Sequence, residues 1–374
     1  MSSNSGRYAY IDVLRGLAAL MVVYQHTAET VWKPAGISVN ALESNIIRFF
    51  IHTISIGELG VYVFLMISGF VVPFSLLKYK THPVKTFLVH RFFRLYPVYW
   101  LSIPLGLVFV WWSFGSGQSI DWLTLGANMT MFQAFFGVKN IMGQYWSLAL
   151  ELLFYIACLV LFVTGRLDSV RSMFAVLLGI ILVREAARHL PISDYSFWVL
   201  STFRYLGYMF FGLLYRKWLL EQDAKAGWNA TLMFALTFLI VGNGRDIIHA
   251  IGGDLGSLKA PMTQLGALII FVAFTVGYRP SNRIGRFLGE ISYSLYLFHP
   301  VVFYPLYAYW FKHSAMQAHP HVFIALSMAI VIPMAYLAYR FVEKPFIDMG
   351  RKLFPASRES TADHHIRVAA ATMS

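Results

Sequence analysis

Acidic residues are scarce: 18 Asp and Glu stand against 30 Lys and Arg in 374 residues. Charge of either sign makes up 13% of the chain, about half the ~25% of an ordinary soluble domain. That shortage excludes a water-solvated surface wrapped around a small core. Cys158 is the one cysteine, so there is no disulfide framework and no Cys-based metal site. No metal is expected. Internal repeats and low-complexity tracts are absent too. A net charge of +12 could suggest nucleic acid, but in a chain this apolar it reflects basic cytoplasmic loops. No nucleic-acid partner is expected.

What is present is apolar. Hydrophobic residues make up 58% of the chain, and the mean hydropathy is +0.60. Apolar runs of about 20 residues recur, each enough to cross a ~30 Å hydrocarbon layer as a helix. They are too long for barrel strands, and helices satisfy their own backbone in lipid. The expected fold is all-α: a polytopic integral membrane bundle of about ten helices over 1–350, followed by a polar cytoplasmic tail, 351–374, expected to be disordered. The candidate spans are 11–29, 58–77, 93–113, 142–164, 170–184, 197–216, 228–242, 261–277, 287–311 and 321–341. The fifth and seventh are short. The stretch 121–136, broken by Gly126 and Asn128, reads as an interfacial or re-entrant piece. A signal-peptide reading of the first run fails for want of a small-residue cleavage site, and all that follows is equally membrane-like. With the N-terminus placed inside, 20 of the 30 Lys and Arg fall on cytoplasmic segments and 8 on outer ones. This positive-inside bias supports an even number of spans with both termini in the cytoplasm.

Charged groups within such spans are expensive, so they are functional candidates, with inter-helix hydrogen bonding as the plain alternative. The first span, "YIDVLRGLAALMVVYQHTAET", carries Arg15 and His26. At about 1.5 Å per residue His26 lies about 16 Å outward of Arg15. The same rise puts His26, Ser68, Glu151, Arg204 and His299 between the midplane and the outer third. That predicts a polar chamber in the outer half of the bilayer. A second set gathers at the inner face. In "VHRFFRLYPVYW", Arg91 and Arg94 share a helix face by their i, i+3 spacing. Arg15, Arg283, Arg286, Arg340 and Lys344 lie at a similar level. Topological anchoring explains most loop lysines, but planar guanidinium forks suit phosphate.

These residues resemble the membrane acyltransferase 3 family, whose members acylate bacterial surface glycans. The resemblance covers about 8–347. Arg15 and His26 match the R-x10-H motif, and "FLMISGF" the SGF-type motif. Arg91 and Arg94 match R-x-x-R, and "YWSLALELLFY" the W-S-L-x-x-E stretch. "ISYSLYLFHP" and "RFVEKP" match late elements. Six elements in order on the right spans make the resemblance specific. It implies an acyl-CoA donor, usually acetyl-CoA, and a glycan or lipid-linked glycan acceptor at the far face of a bacterial inner membrane. Many relatives carry an added extracytoplasmic hydrolase-like domain. This chain is expected to lack one, which leaves open whether a separate protein completes the transfer.

Acyl transfer needs a base or a nucleophile, and a histidine serves as either near neutral pH. His26 is the candidate, with Glu151 to orient it as carboxylates orient histidine in triads. Arg15, Arg91 and Arg94 are candidates for the donor's phosphates, with Ser68 beside them. Tyr145, Trp146, Ser147, Arg204 and His299 are candidates for the substrate side. Arg204 is either a partner of Glu151 or an acceptor ligand, and His299 is either functional or packing. Asp12 and Glu343 are expected to pair with nearby arginines, and Glu29 to face water. The rival readings are a proton-coupled secondary transporter or flippase, and a non-catalytic scaffold.

Overall fold

The computed structural model describes residues 8–35, 53–79, 81–114, 120–191, 194–240, 244–311 and 320–355. The described residues contain helices and no strand. The first helix, α1, is Ala9–Ala35, followed by α2 (Ile56–Leu77) and α3 (Pro83–Phe114). A short α4 (Trp122–Met129) and two 3-10 turns lead into α5 (Trp146–Val163) and α6 (Val170–Ala187). Next come α7 (Asp194–Thr202), α8 (Leu206–Glu221), α9 (Ala224–Phe238), α10 (Gly244–Ile251) and α11 (Lys259–Val272). The chain closes with α12 (Arg283–Glu290), α13 (Ser292–Phe311), α14 (Pro320–Ala338) and α15 (Lys344–Leu353).

Helix starts are marked by side chains that accept the otherwise unpartnered N–H groups of a first turn. Asp121 accepts from Thr124 N, Ser169 from Ser172 N, Asp223 from Lys225 N and Ala226 N, and Asn282 from Gly285 N. Asp121 opens α4, in the stretch expected to be interfacial or re-entrant, and Trp122 there is 87% exposed.

Among the described residues five segments are long and apolar enough to cross a membrane: Ile56–Leu77, Pro83–Phe109, Gly143–Val163, Gly256–Tyr278 and His321–Leu353. The other expected spans are polar or interrupted. Asp12, Arg15 and Glu29 punctuate α1. The stretch expected at 197–216 is cut by a 3-10 turn, Phe203–Tyr205, leaving α8 with 16 residues. The stretch expected at 287–311 breaks at Ile291, between α12 and α13. The seventh, α9, has 15 residues. Helix α3 begins ten residues before its apolar core, because Pro83 can open a helix where no N–H is needed. Helix α15 runs to Leu353, three residues into the stretch expected as the polar tail. Residues 356–374 lie outside the described residues.

In the bundle, α1 packs on α2, α12, α13 and α14, while α2 packs on α8 and α13 on α3. The α2–α8 seam is backbone on backbone. A Cβ on Gly69 would sit 1.8 Å from the carbonyl oxygen of Met209, and one on Gly212 would sit 2.1 Å from that of Met66. So the glycine of "MISGF" serves helix approach, and its neighbour Ser68 is delivered to an interior cavity. Gly69→Ala should therefore lower the thermal stability of the purified protein, by about 1–3 kcal/mol as for other overpacked cores. Gly179→Ala, where a Cβ meets nothing within 4 Å, serves as the control. An unchanged melting temperature for Gly69→Ala would disprove the tight seam.

Candidate active site

Six helices wall a cavity of about 120 Å³. Arg15 enters from α1, Ser68 from α2, Arg91 and Arg94 from α3, and Ser147 and Glu151 from α5. Met209 of α8 and Tyr293 and Tyr296 of α13 close it. The depths expected from helix rise separate the arginines from Ser68 and Glu151. The structure puts them around one space. Arg91 lies about 12 Å along α3 from Pro83, well inside a helix that starts before its apolar core.

Arg91 stacks over the rings of Tyr155 (5.1 Å) and Phe87 (5.3 Å), and its Nη2 donates to Ser75 Oγ at 3.2 Å. Glu151 accepts from the Tyr155 hydroxyl. Arg15 lies within electrostatic reach of Asp12, Glu151, Glu343 and Arg94. Glu343, 2% exposed on a π-helical turn, accepts from Ser294 Oγ at 2.7 Å. Three guanidiniums thus share their surroundings with three carboxyl groups, which lowers the cost of holding either in the bundle. The remaining basic candidates sit apart from the cavity. Arg283, Arg340 and Lys344 are exposed, and Arg286 is half-buried.

The histidines form a second centre. His26 is exposed on α1, and His299, 2% exposed on α13, stacks on it with ring centroids 5.2 Å apart and planes 19° from parallel. His299 Nδ1 lies 2.6 Å from the carbonyl oxygen of Tyr296. A carbonyl only accepts, so Nδ1 carries the proton, and in the neutral ring Nε2 keeps the lone pair. The Tyr296 hydroxyl is 2.7 Å from Ser147 Oγ, and both reach the carbonyl oxygen of Gln144, at 2.9 and 3.2 Å. Tyr296 and Ser147 therefore join the arginine cavity to the histidine pair. The neighbours of Glu151 are Tyr155 and Arg15, not the histidines.

The remaining candidates are placed elsewhere. Tyr145 is fully buried against Tyr99 (4.7 Å) and 2.7 Å from Ser102 Oγ. Trp146 packs on Trp198 and Tyr205, and Arg204 lies over the Tyr205 ring. Glu29 accepts from Gln25 Nε2. Tyr155, Tyr293 and Tyr296 line or brace the site without standing out in the sequence. The signal existed for two of them. Tyr155 is four residues from Glu151, and Tyr296 three from His299, spacings that place side chains on one helix face.

A profile described as an acyltransferase domain, Acyl_transf_3, matches residues 8–340. The chain belongs to the acyltransferase 3 family. It is similar to BcsY of Komagataeibacter xylinus, whose description as a membrane-bound transacylase is an assignment. The two are 25% identical over 380 residues, covering 94% of this chain and 86% of that one. No solved structure matches the chain. An acyltransferase 3 protein with apolar membrane-crossing helices is a membrane acyltransferase. Among the described residues no three His, Cys, Asp or Glu side chains cluster as metal ligands do.

Proposed function

We propose that this acyltransferase moves an acyl group, an acetyl in the first instance, from cytoplasmic acyl-CoA to a hydroxyl of a surface glycan or its lipid-linked precursor. It would do so in a bacterial cytoplasmic membrane, with both termini inside. The observation that carries this reading is the joint between the arginine-lined cavity and the His26–His299 pair through Ser147 and Tyr296. The donor's phosphates sit on Arg15, Arg91 and Arg94, and its narrow pantetheine arm follows the cavity. His26 takes the proton of the acceptor hydroxyl as its oxygen attacks the thioester carbonyl. The carbon–sulfur bond breaks, and the thiolate leaves with the proton that His26 returns. His299, its tautomer held by Tyr296, stacks on His26 and fixes the ring. Glu151 balances the guanidiniums.

The test is release of free coenzyme A when purified protein receives acetyl-CoA and membrane glycan, read with a thiol reagent. Cys158 is buried, which keeps the protein's own signal low. Hydrolysis-level release that ignores the glycan would overturn the reading.

The arginines give a sharper check. Arg91→Gln with Arg94→Gln should weaken coenzyme A binding by about 10-fold or more while leaving acceptor binding alone, since charge-assisted pairs are the strong ones. Lys at both positions should restore some of it, because an ammonium lacks the bidentate fork. Calorimetry with coenzyme A distinguishes these outcomes. Unchanged affinity in the double Gln variant would make the pair a purely structural feature.

A further inference from the structure

Arginines gather a second time, away from the cavity. Arg184 and Arg188 close α6, and Arg204 sits in the 3-10 turn between α7 and α8. Arg184 already has partners: Nη1 is 2.5 Å from Glu185 Oε1, and Nε donates to Ser201 Oγ at 3.2 Å. Arg188 uses the other oxygen of Glu185, at 3.2 Å. Arg204 differs. Its guanidinium lies 5.7 Å from the Tyr205 ring centroid, and its Nε is buried with no hydrogen-bond partner. It also lies within electrostatic reach of Arg184. A buried N–H without an acceptor and two guanidiniums near each other are both unfavourable. One oxyanion relieves both at once.

Beside this vacant donor stands an aromatic wall. Trp146 lies 6.1 Å from Trp198 and 6.3 Å from Tyr205, and Tyr205 lies 5.8 Å from Tyr62. Trp198 is 45% exposed. Such ring faces take the C–H face of a sugar. Trp146 is also the chain neighbour of Ser147, which lines the cavity and touches Tyr296. The wall thus runs from Arg204 to the edge of the proposed catalytic centre.

We infer that Arg204, with Arg184 behind it and Trp146, Trp198 and Tyr205 as a wall, is an acceptor subsite for a sugar bearing an oxyanion. This rests on the acyl-transfer reading above and adds the acceptor's chemical class. The anion is a carboxylate on the sugar or a phosphate joining it to a lipid carrier, both of which offer a guanidinium two oxygens in one plane.

The experiment is binding without acyl donor, so it stands apart from any failure of transfer. Protein in nanodiscs is titrated calorimetrically with a neutral glucose disaccharide, a uronate-bearing disaccharide and a polyprenyl-phosphate-linked disaccharide. At least one anionic probe should bind about 10-fold or more tightly than the neutral one, with the preference fading at high salt. Arg204→Gln should bring that probe to the neutral level, and Arg204→Lys should keep some of the preference. The probe that loses affinity identifies carboxylate or phosphate as the source. Equal binding of all three by the unaltered protein would overturn the inference. So would an Arg204→Gln variant that weakens all three alike, because that is loss of packing. If Arg204→Gln does not fold, the Lys variant and the salt series decide. Anion preference without any coenzyme A release would leave the subsite standing and remove the transfer reading.

Discussion

His26→Ala should cost about 10²- to 10⁴-fold in acyl transfer, the usual worth of a general base, with protein level and membrane insertion unchanged. His26 is exposed on α1, so its removal leaves no cavity in the core. The loss should fall on kcat rather than on coenzyme A affinity, because the donor's phosphates are assigned to arginines on the far side of Ser147 and Tyr296. His299→Ala gives the contrast. That ring is buried between His26 and Phe303, so its loss should lower stability as well as rate. Steady-state kinetics with coenzyme A release as readout separates the two, and near-normal transfer by the His26 variant would end its assignment as base.

The second large effect concerns sides of the membrane. In oriented proteoliposomes, acetyl-CoA supplied only at the cytoplasmic face should acylate glycan present only at the opposite face. Supplied only outside, it should give nothing. On the proposed reading the donor's phosphates stay at the arginines, while the pantetheine arm reaches further into the cavity. The contrast is all-or-none, because a charged donor does not cross hydrocarbon unaided. Product formed only when donor and glycan share the cytoplasmic side would mean that acylation precedes export of the glycan.

Much of this is legible in the sequence because charges in an apolar run stand out. Arg15, Ser68, Arg91, Arg94, Ser147 and Glu151 are candidates by sequence and share one cavity, and His26 and His299 meet ring to ring. Depth is less legible. A hydropathy window finds where a helix turns apolar, not where it starts, so it misses the ten polar-flanked residues opening α3 and puts Arg91 ahead of a helix it lies well inside. Breaks are hidden for the same reason: the 3-10 turn at Phe203–Tyr205 and the corner at Ile291 lie inside continuous apolar runs. Tyr145 carries a motif position, yet it is held in the core by Ser102 and Tyr99. A motif does not say which way its residues face.

Gly69 and Gly212 bring the backbones of α2 and α8 into contact, and α1 meets α12 as closely, with a Cβ on Gly289 falling 2.0 Å from the carbonyl oxygen of Asp12. At Gly69 and Gly212, and again at Gly289, main chain meets main chain, with no side chain between them to swing aside for a lateral portal. A substrate tethered to a lipid would have to push main chain away from main chain to slip in from the bilayer there. The α2–α8 side of the arginine cavity is therefore sealed like welded staves. A lipid-borne acceptor would have to come in elsewhere around the bundle, so glycines far from any chemistry narrow its routes of entry.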